Sequence, residues 1–246
     1  MNQLASENIQ AIAANLKNRY ADFLHYNKRN PLHNLIFVLC SVRTDEDKYI
    51  PAFRSLRRKF PRVEMLAKAS TKSIAQTLKN SGRQNQKAAA IKRIVQETIK
   101  HFGKPSLSEL SRMSDVECEA FLTSLPWVGK KVARCVMMYP LGRKVFPVDT
   151  HVWRICRRLG LVEPTRADSV CSPKDMDKLQ DKIPADLRLS LHVNMVSLGR
   201  EFCAPQRPLC PLCPIEEYCQ RVGSSVIGRA SRETVVRNVS LDNQYN

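Results

Sequence analysis

Residues 125–162 read LPWVGKKVARCVMMYPLGRKVFPVDTHVWRICRRLGLV. The first five residues make a tight apolar turn, and a helix starts directly after it at Lys130, with Val132, Cys135, Val136 and Tyr139 along one face. Upstream, Ser114 and Glu117 have the spacing of a capping box for a helix that ends near Ser124. The stretch 115–140 is therefore predicted to be a helix, a hairpin and a second helix. The backbone N–H groups at the start of that second helix have no intrahelical acceptor. They can hold a phosphate without reading sequence, and Lys130 adds charge beside them. An ordinary helical hairpin inside a core is the competing reading. Further on, Asp149 is placed to cap a helix over 150–159, which Gly160 stops.

Outward from this stretch the chain continues as helices. Residues 7–26 carry Ile9, Ile12, Leu16, Tyr20 and Phe23 at helical spacing. Residues 35–40 are apolar all round, which predicts a buried central helix after the Asn30-Pro31 break. Further helices are expected over 44–60 (with Pro51 as a possible kink), 71–80, 85–102 and 185–202, and from the Ser172-Pro173 start. Ser106 and Glu109 have the spacing of another capping box. No alternating strand pattern and no internal repeat is present. The expected fold is all-α, and residues 223–246, polar and without apolar periodicity, read as a disordered tail.

The 246 residues include 40 Lys+Arg and 23 Asp+Glu, a formal charge of +17. Solubility needs far less, so a polyanion is the expected partner, with DNA or RNA ahead of an anionic membrane. The first ten residues lack the basic-then-apolar order of a signal peptide, and the longest apolar run is too short to span a bilayer. A soluble intracellular protein is expected.

Nine cysteines are unevenly spread. Cys40, Cys118, Cys135, Cys156 and Cys171 stand alone, as buried small apolar residues would. Cys203, Cys210, Cys213 and Cys219 fall within FCAPQRPLCPLCPIEEYC. A secreted disulfide framework would usually leave no cysteine over, so a reduced compartment with one metal site fits better. Four thiolates can hold zinc or an iron–sulfur cluster. Zinc ribbons usually carry two Cys-x-x-Cys knuckles, and one is present here.

Taken together, these motifs resemble the endonuclease III family of helix-hairpin-helix DNA glycosylases, over roughly residues 30–221. The resemblance implies two helical domains, residues 29–142 with six helices and the hairpin, and residues 1–28 plus 143–222 closed by a four-iron, four-sulfur loop. It implies that Lys131 is the nucleophile, that Asp149 is the catalytic acid, and that Cys203, Cys210, Cys213 and Cys219 ligate a 4Fe-4S cluster. It also implies a monomer that binds double-stranded DNA across the cleft between domains and flips out a damaged or modified nucleotide.

The chemistry suits these residues. A neutral lysine amine can attack C1′ of the deoxyribose and stay attached as a Schiff base. The adjacent Lys130 and the positive end of a helix both disfavour the charged form of Lys131, and a carboxylate can accept its proton. The family's adenine-specific members lack this lysine, so a bifunctional glycosylase and abasic-site lyase is expected, with oxidised pyrimidine as the default substrate. The alternatives are a 5-methylcytosine, mismatch or oxoguanine glycosylase on the same fold, or a non-catalytic iron–sulfur DNA-binding protein.

Three departures bear on the substrate. The first glycine of the family's hairpin is Trp127 here. Val42 stands where the family places a gap-filling Gln. Arg83 stands where the family has an apolar DNA wedge. Arg43, Arg83 and Gln84 are therefore the candidates for filling the gap and reading the opposite base. Trp127, Gly129, Lys130 and His151 complete the expected DNA contacts.

Overall fold

The computed structural model describes residues 8–163 and 170–222; the tail expected at 223–246 lies outside them. Every regular element among the described residues is a helix, so the fold is all-α. The chain divides into two compact units, Tyr26–Arg143 and Met1–His25 with Lys144–Asn246.

The unit Tyr26–Arg143 contains seven α-helices: α1 of the whole chain precedes it, and α2 to α8 lie within it. Helix α2 (Pro31–Ser41) is its centre. The Asn30 side chain caps it by accepting from the His33 N–H at 3.0 Å, and Pro31 occupies the first turn, where no N–H is needed. Residues 34–40 of α2 are all buried. Helix α2 packs on α3 (Glu46–Lys59), on α6 (Gln84–Phe102) and on α8 (Lys130–Met138). Pro51 sits inside α3 without ending it. Two short helices, α4 (Glu64–Lys68) and α5 (Thr71–Thr77), pack on α6; α4 was not expected, because five residues are too few to show a period.

The capping box at the start of α7 (Asp115–Ser124) is present in full, with both the Ser114 and the Glu117 side chains bonded back to the backbone. The one expected at Ser106 is not. There, Ser106 Oγ accepts from the Ser108 N–H at 3.2 Å, and a single 3-10 turn runs over Ser108–Arg112. Glu109 pairs instead with Lys104 and Arg112, so a correct spacing was defeated by two nearby cations.

The other unit is built on α1 (Ile9–Tyr20), α9 (Thr150–Arg158), α10 (Pro173–Lys182) and α11 (Arg188–Glu201). Helix α11 packs on both α1 and α9. Their shared core includes Ile12, Leu16, Trp153, Ile155, Leu179 and Met195. Helix α1 ends at Tyr20, three residues before its apolar pattern does. Ala21 and Asp22 take left-handed backbone, and Phe23 is exposed. The exit has a tertiary cause. Asp22 accepts from Ser190 Oγ at 2.6 Å and from Asn194 Nδ2 at 2.8 Å, and the buried His25 ring lies 2.8 Å from the Val193 carbonyl. A continued helix would carry both side chains away from α11.

Candidate active site

The hairpin of residues 125–129 joins α7 to α8, and these helices pack on each other. Leu125 and Val128 are buried and hold the turn down, while Gly129 is exposed at the start of α8. Trp127 has φ 65° and is 38% exposed. The backbone thus takes the left-handed form a glycine would take, at a cost on the order of 1 kcal/mol for a residue with a Cβ.

The two adjacent lysines at the start of α8 have different surroundings. Lys130 Nζ lies 3.2 Å from Glu119 Oε1 on α7, and Glu119 Oε2 accepts from the buried Arg134 at 2.7 Å. One carboxylate therefore ties the first two turns of α8 to α7. Lys131 is half-buried and points about 100° further round the helix. Glu119 was missed in the sequence, and its place on the hairpin-facing side of α7 was the available signal. This placement turns the Lys130 charge toward protein. Lys130→Gln is expected to lower stability by roughly 1 kcal/mol and to leave the salt dependence of DNA binding unchanged. A slope that flattened by about 0.9, the value of one phosphate, would show that Lys130 contacts DNA instead.

In the other unit, Asp149 is the N-cap of α9. Its Oδ1 accepts from the N–H groups of His151 and Val152, each at 2.9 Å. These bonds fix the carboxyl at the helix's positive end, where a negative charge is favoured. His151 is held within the fold. Its Nδ1 lies 3.1 Å from Arg154 Nη2, and burial pushes its pKa below the ordinary histidine range. A Cβ on Gly199 would come within 2.6 Å of the His151 ring, so α11 needs a glycine there for α9 to approach. His151 therefore packs partly buried at the approach of α9 to α11.

Helix α9 also fastens the cysteine loop. Arg154 Nε donates to the Cys203 carbonyl at 2.7 Å. The buried Arg158 donates to Cys203 Sγ at 3.1 Å, to the Ala204 carbonyl at 2.8 Å and to the Pro205 carbonyl at 2.8 Å. Cys203, Cys210, Cys213 and Cys219 line one cavity, walled by Phe202, Pro208 and the two arginines 158 and 221. Burial pushes the Cys213 thiol up to about 12 and raises Cys210 and Cys219 as well. Four soft donors thus line one largely apolar cavity. Among the described residues, no group of three or more His, Cys, Asp or Glu side chains is placed to hold a metal ion, these four cysteines included. The isolated Cys40, Cys118, Cys135 and Cys156 are buried.

Arg43, Arg83 and Gln84 belong to the same unit as the hairpin. Arg43 (φ 52°) and Arg83 (φ 50°) are exposed on left-handed backbone, and Gln84 begins α6.

Comparison with known proteins places these features. The model of the HhH-GPD superfamily of base excision DNA repair proteins matches residues 36–180. This chain belongs to the endonuclease III family of helix-hairpin-helix DNA glycosylases. It is 32% identical to Endonuclease III of Thermotoga maritima, over 80% of this chain and 85% of that protein. Its fold matches a trapped covalent Endonuclease III–DNA intermediate with a TM-score of 0.74, at 25% identity over 88% of this chain and 96% of the other. A thermostable thymine-DNA glycosylase shares the fold, with a TM-score of 0.71 and 20% identity over 90% and 97% of the two chains. Membership makes the chain a DNA glycosylase. Among the described residues, no helix of this glycosylase is long and apolar enough to cross a membrane.

Proposed function

We propose that this glycosylase is bifunctional: it removes a damaged or modified base through a Schiff base on Lys131 and then cleaves the strand by β-elimination. The observation that carries the reading is the lysine pair at the start of α8. Lys130 is bound by Glu119, and Lys131 stands on a different side of the helix start, directly after the hairpin. The covalent Endonuclease III–DNA intermediate with the same fold supports it.

In this reading the neutral Lys131 amine attacks C1′ and the bond from C1′ to the base breaks, so the base leaves with the bonding pair. Asp149 accepts a proton from the resulting ammonium and returns it to the ring oxygen as the sugar opens to the imine. Loss of a C2′ proton then expels the 3′ phosphate. The hairpin backbone and the +17 charge hold the strand, and Trp127, Arg43, Arg83 and Gln84 face the bases. Oxidised pyrimidine is the default substrate. A panel of duplexes tests this, each with one oxidised pyrimidine, 5-methylcytosine, T·G mismatch or oxoguanine. Strand cleavage of one class identifies the substrate, whereas base loss without strand cleavage on every cleaved duplex would remove the lyase reading.

Cys203, Cys210, Cys213 and Cys219 would hold a 4Fe-4S cluster. When bound, it supplies a cross-link of the loop by four thiolate–iron bonds. The anaerobically purified protein is expected to contain about four irons and matching labile sulfide per chain; one zinc and no sulfide would refute this. Cys213→Ser is expected to lower stability and DNA affinity more than the rate of the chemical step.

A further inference from the structure

Lys87 is a charged side chain at a core position. It lies on the face of α6 that continues through Ile91, Ile94 and Val95, and it is 1% exposed. Its ammonium has three protons, and three oxygens surround it: the Cys40 carbonyl at 2.7 Å, Thr44 Oγ1 at 2.8 Å and the Ser81 carbonyl at 2.6 Å. Two of these acceptors bracket the turn of Arg43. The third directly precedes Gly82 and Arg83. Thr44 Oγ1 also bonds to the Ser81 carbonyl, and a Cβ on Gly82 would lie 3.8 Å from the Arg43 carbonyl, so the two turns abut.

The chemistry explains why a lysine stands here. A buried carbonyl without a donor is costly; an apolar side chain would leave the Cys40 carbonyl in that state and would take one of two donors from the Ser81 carbonyl. A glutamine offers only two N–H groups, whereas the ammonium offers three. The same junction holds two arginines in left-handed backbone, a conformation that persists only where the surroundings over-determine it.

We infer that Lys87 is a positioning residue that locks the turns of Arg43 and Arg83 in one register, so that both guanidinium groups meet the DNA together. The DNA half of this inference rests on the function proposed above. The locking half concerns the protein alone. Two variants of the full-length protein test it: Lys87→Met, which removes all three donors, and the milder Thr44→Val, which removes one acceptor and keeps the fold if the first variant loses it.

In the DNA-free protein, amide exchange in residues 41–44 and 80–84 is expected to rise together by about tenfold or more, as for a lock lost in both turns. Exchange in α7 and α8 is expected to be unchanged. With a cleaved duplex, Lys87→Met is expected to weaken binding as much as the pair Arg43→Gln with Arg83→Gln, and to add little on top of that pair. Turns that stay protected in both variants, or only one turn that loosens, would overturn the locking. Loosened turns with full DNA affinity, while the arginine pair weakens binding, would overturn the coupling to DNA. Loosened turns with the arginine pair also without effect would overturn the DNA role of the arginines and leave the lock standing.

Discussion

Lys131→Gln is expected to abolish borohydride trapping of a protein–DNA adduct while DNA binding changes only a few-fold. Borohydride reduces an imine to a stable amine, so an adduct forms only if an amine of the protein has replaced the base at C1′. Gln keeps a polar side chain only one atom shorter and removes the nucleophile. The groups that bind the strand in this reading are the backbone N–H donors at the start of α8 and the exposed Trp127, and neither depends on Lys131. Lys130→Gln is the internal control, since it removes the neighbouring charge but leaves Lys131 in place. Trapping that survives in Lys131→Gln and disappears in Lys130→Gln would move the nucleophile by one residue. Trapping by neither parent nor variant, on a duplex whose base is removed, would make water the attacking group.

Asp149→Asn is expected to slow base removal by roughly 10²–10⁴, the range for loss of a positioned proton acceptor. Stability is expected to stay nearly the same. Asp149 performs two tasks that this substitution separates. Its Oδ1 caps α9 through the His151 and Val152 N–H groups, and Asn caps a helix about as well as Asp. Only the charge and the proton affinity are lost. Asp149→Ala removes the cap too, and should cost about 1 kcal/mol of stability beyond the same loss of rate. A rate for Asp149→Asn within a few-fold of the parent, with a rate lost only in Asp149→Ala, would show that Asp149 is a cap and not a proton acceptor.

The helices that were legible in the sequence are those with local signals. Asn30-Pro31 before α2, Ser114 with Glu117 before α7, Asp149 before α9 and Ser172-Pro173 before α10 each stop or start a helix through atoms a few residues apart. The lysine pair, Asp149 and the four clustered cysteines were also visible, because each is a short pattern with a strong chemical constraint.

What was not legible depends on partners far along the chain. The early end of α1 is set by Ser190, Asn194 and Val193, some 170 residues away. The Ser106 box lost to cations at 104 and 112. The Glu119 carboxylate beside Lys130 and the Arg154 and Gly199 neighbours of His151 were likewise out of sight in the sequence. Lys87 was hidden in a basic helix, although its register with Ile91 and Ile94 was the clue that it faces inward.

The sequence alone determined that this protein is helical, that it carries a hairpin followed by two lysines, and that four cysteines share one loop, because capping, periodicity and ligand spacing are properties of neighbouring residues. Only the tertiary structure decided that Lys130 meets Glu119, that His151 lies against Gly199 of α11 and that the turns of Arg43 and Arg83 abut. Those outcomes depend on buried donors and acceptors finding partners across the fold, and a buried charge or carbonyl must be satisfied wherever in the chain its partner lies.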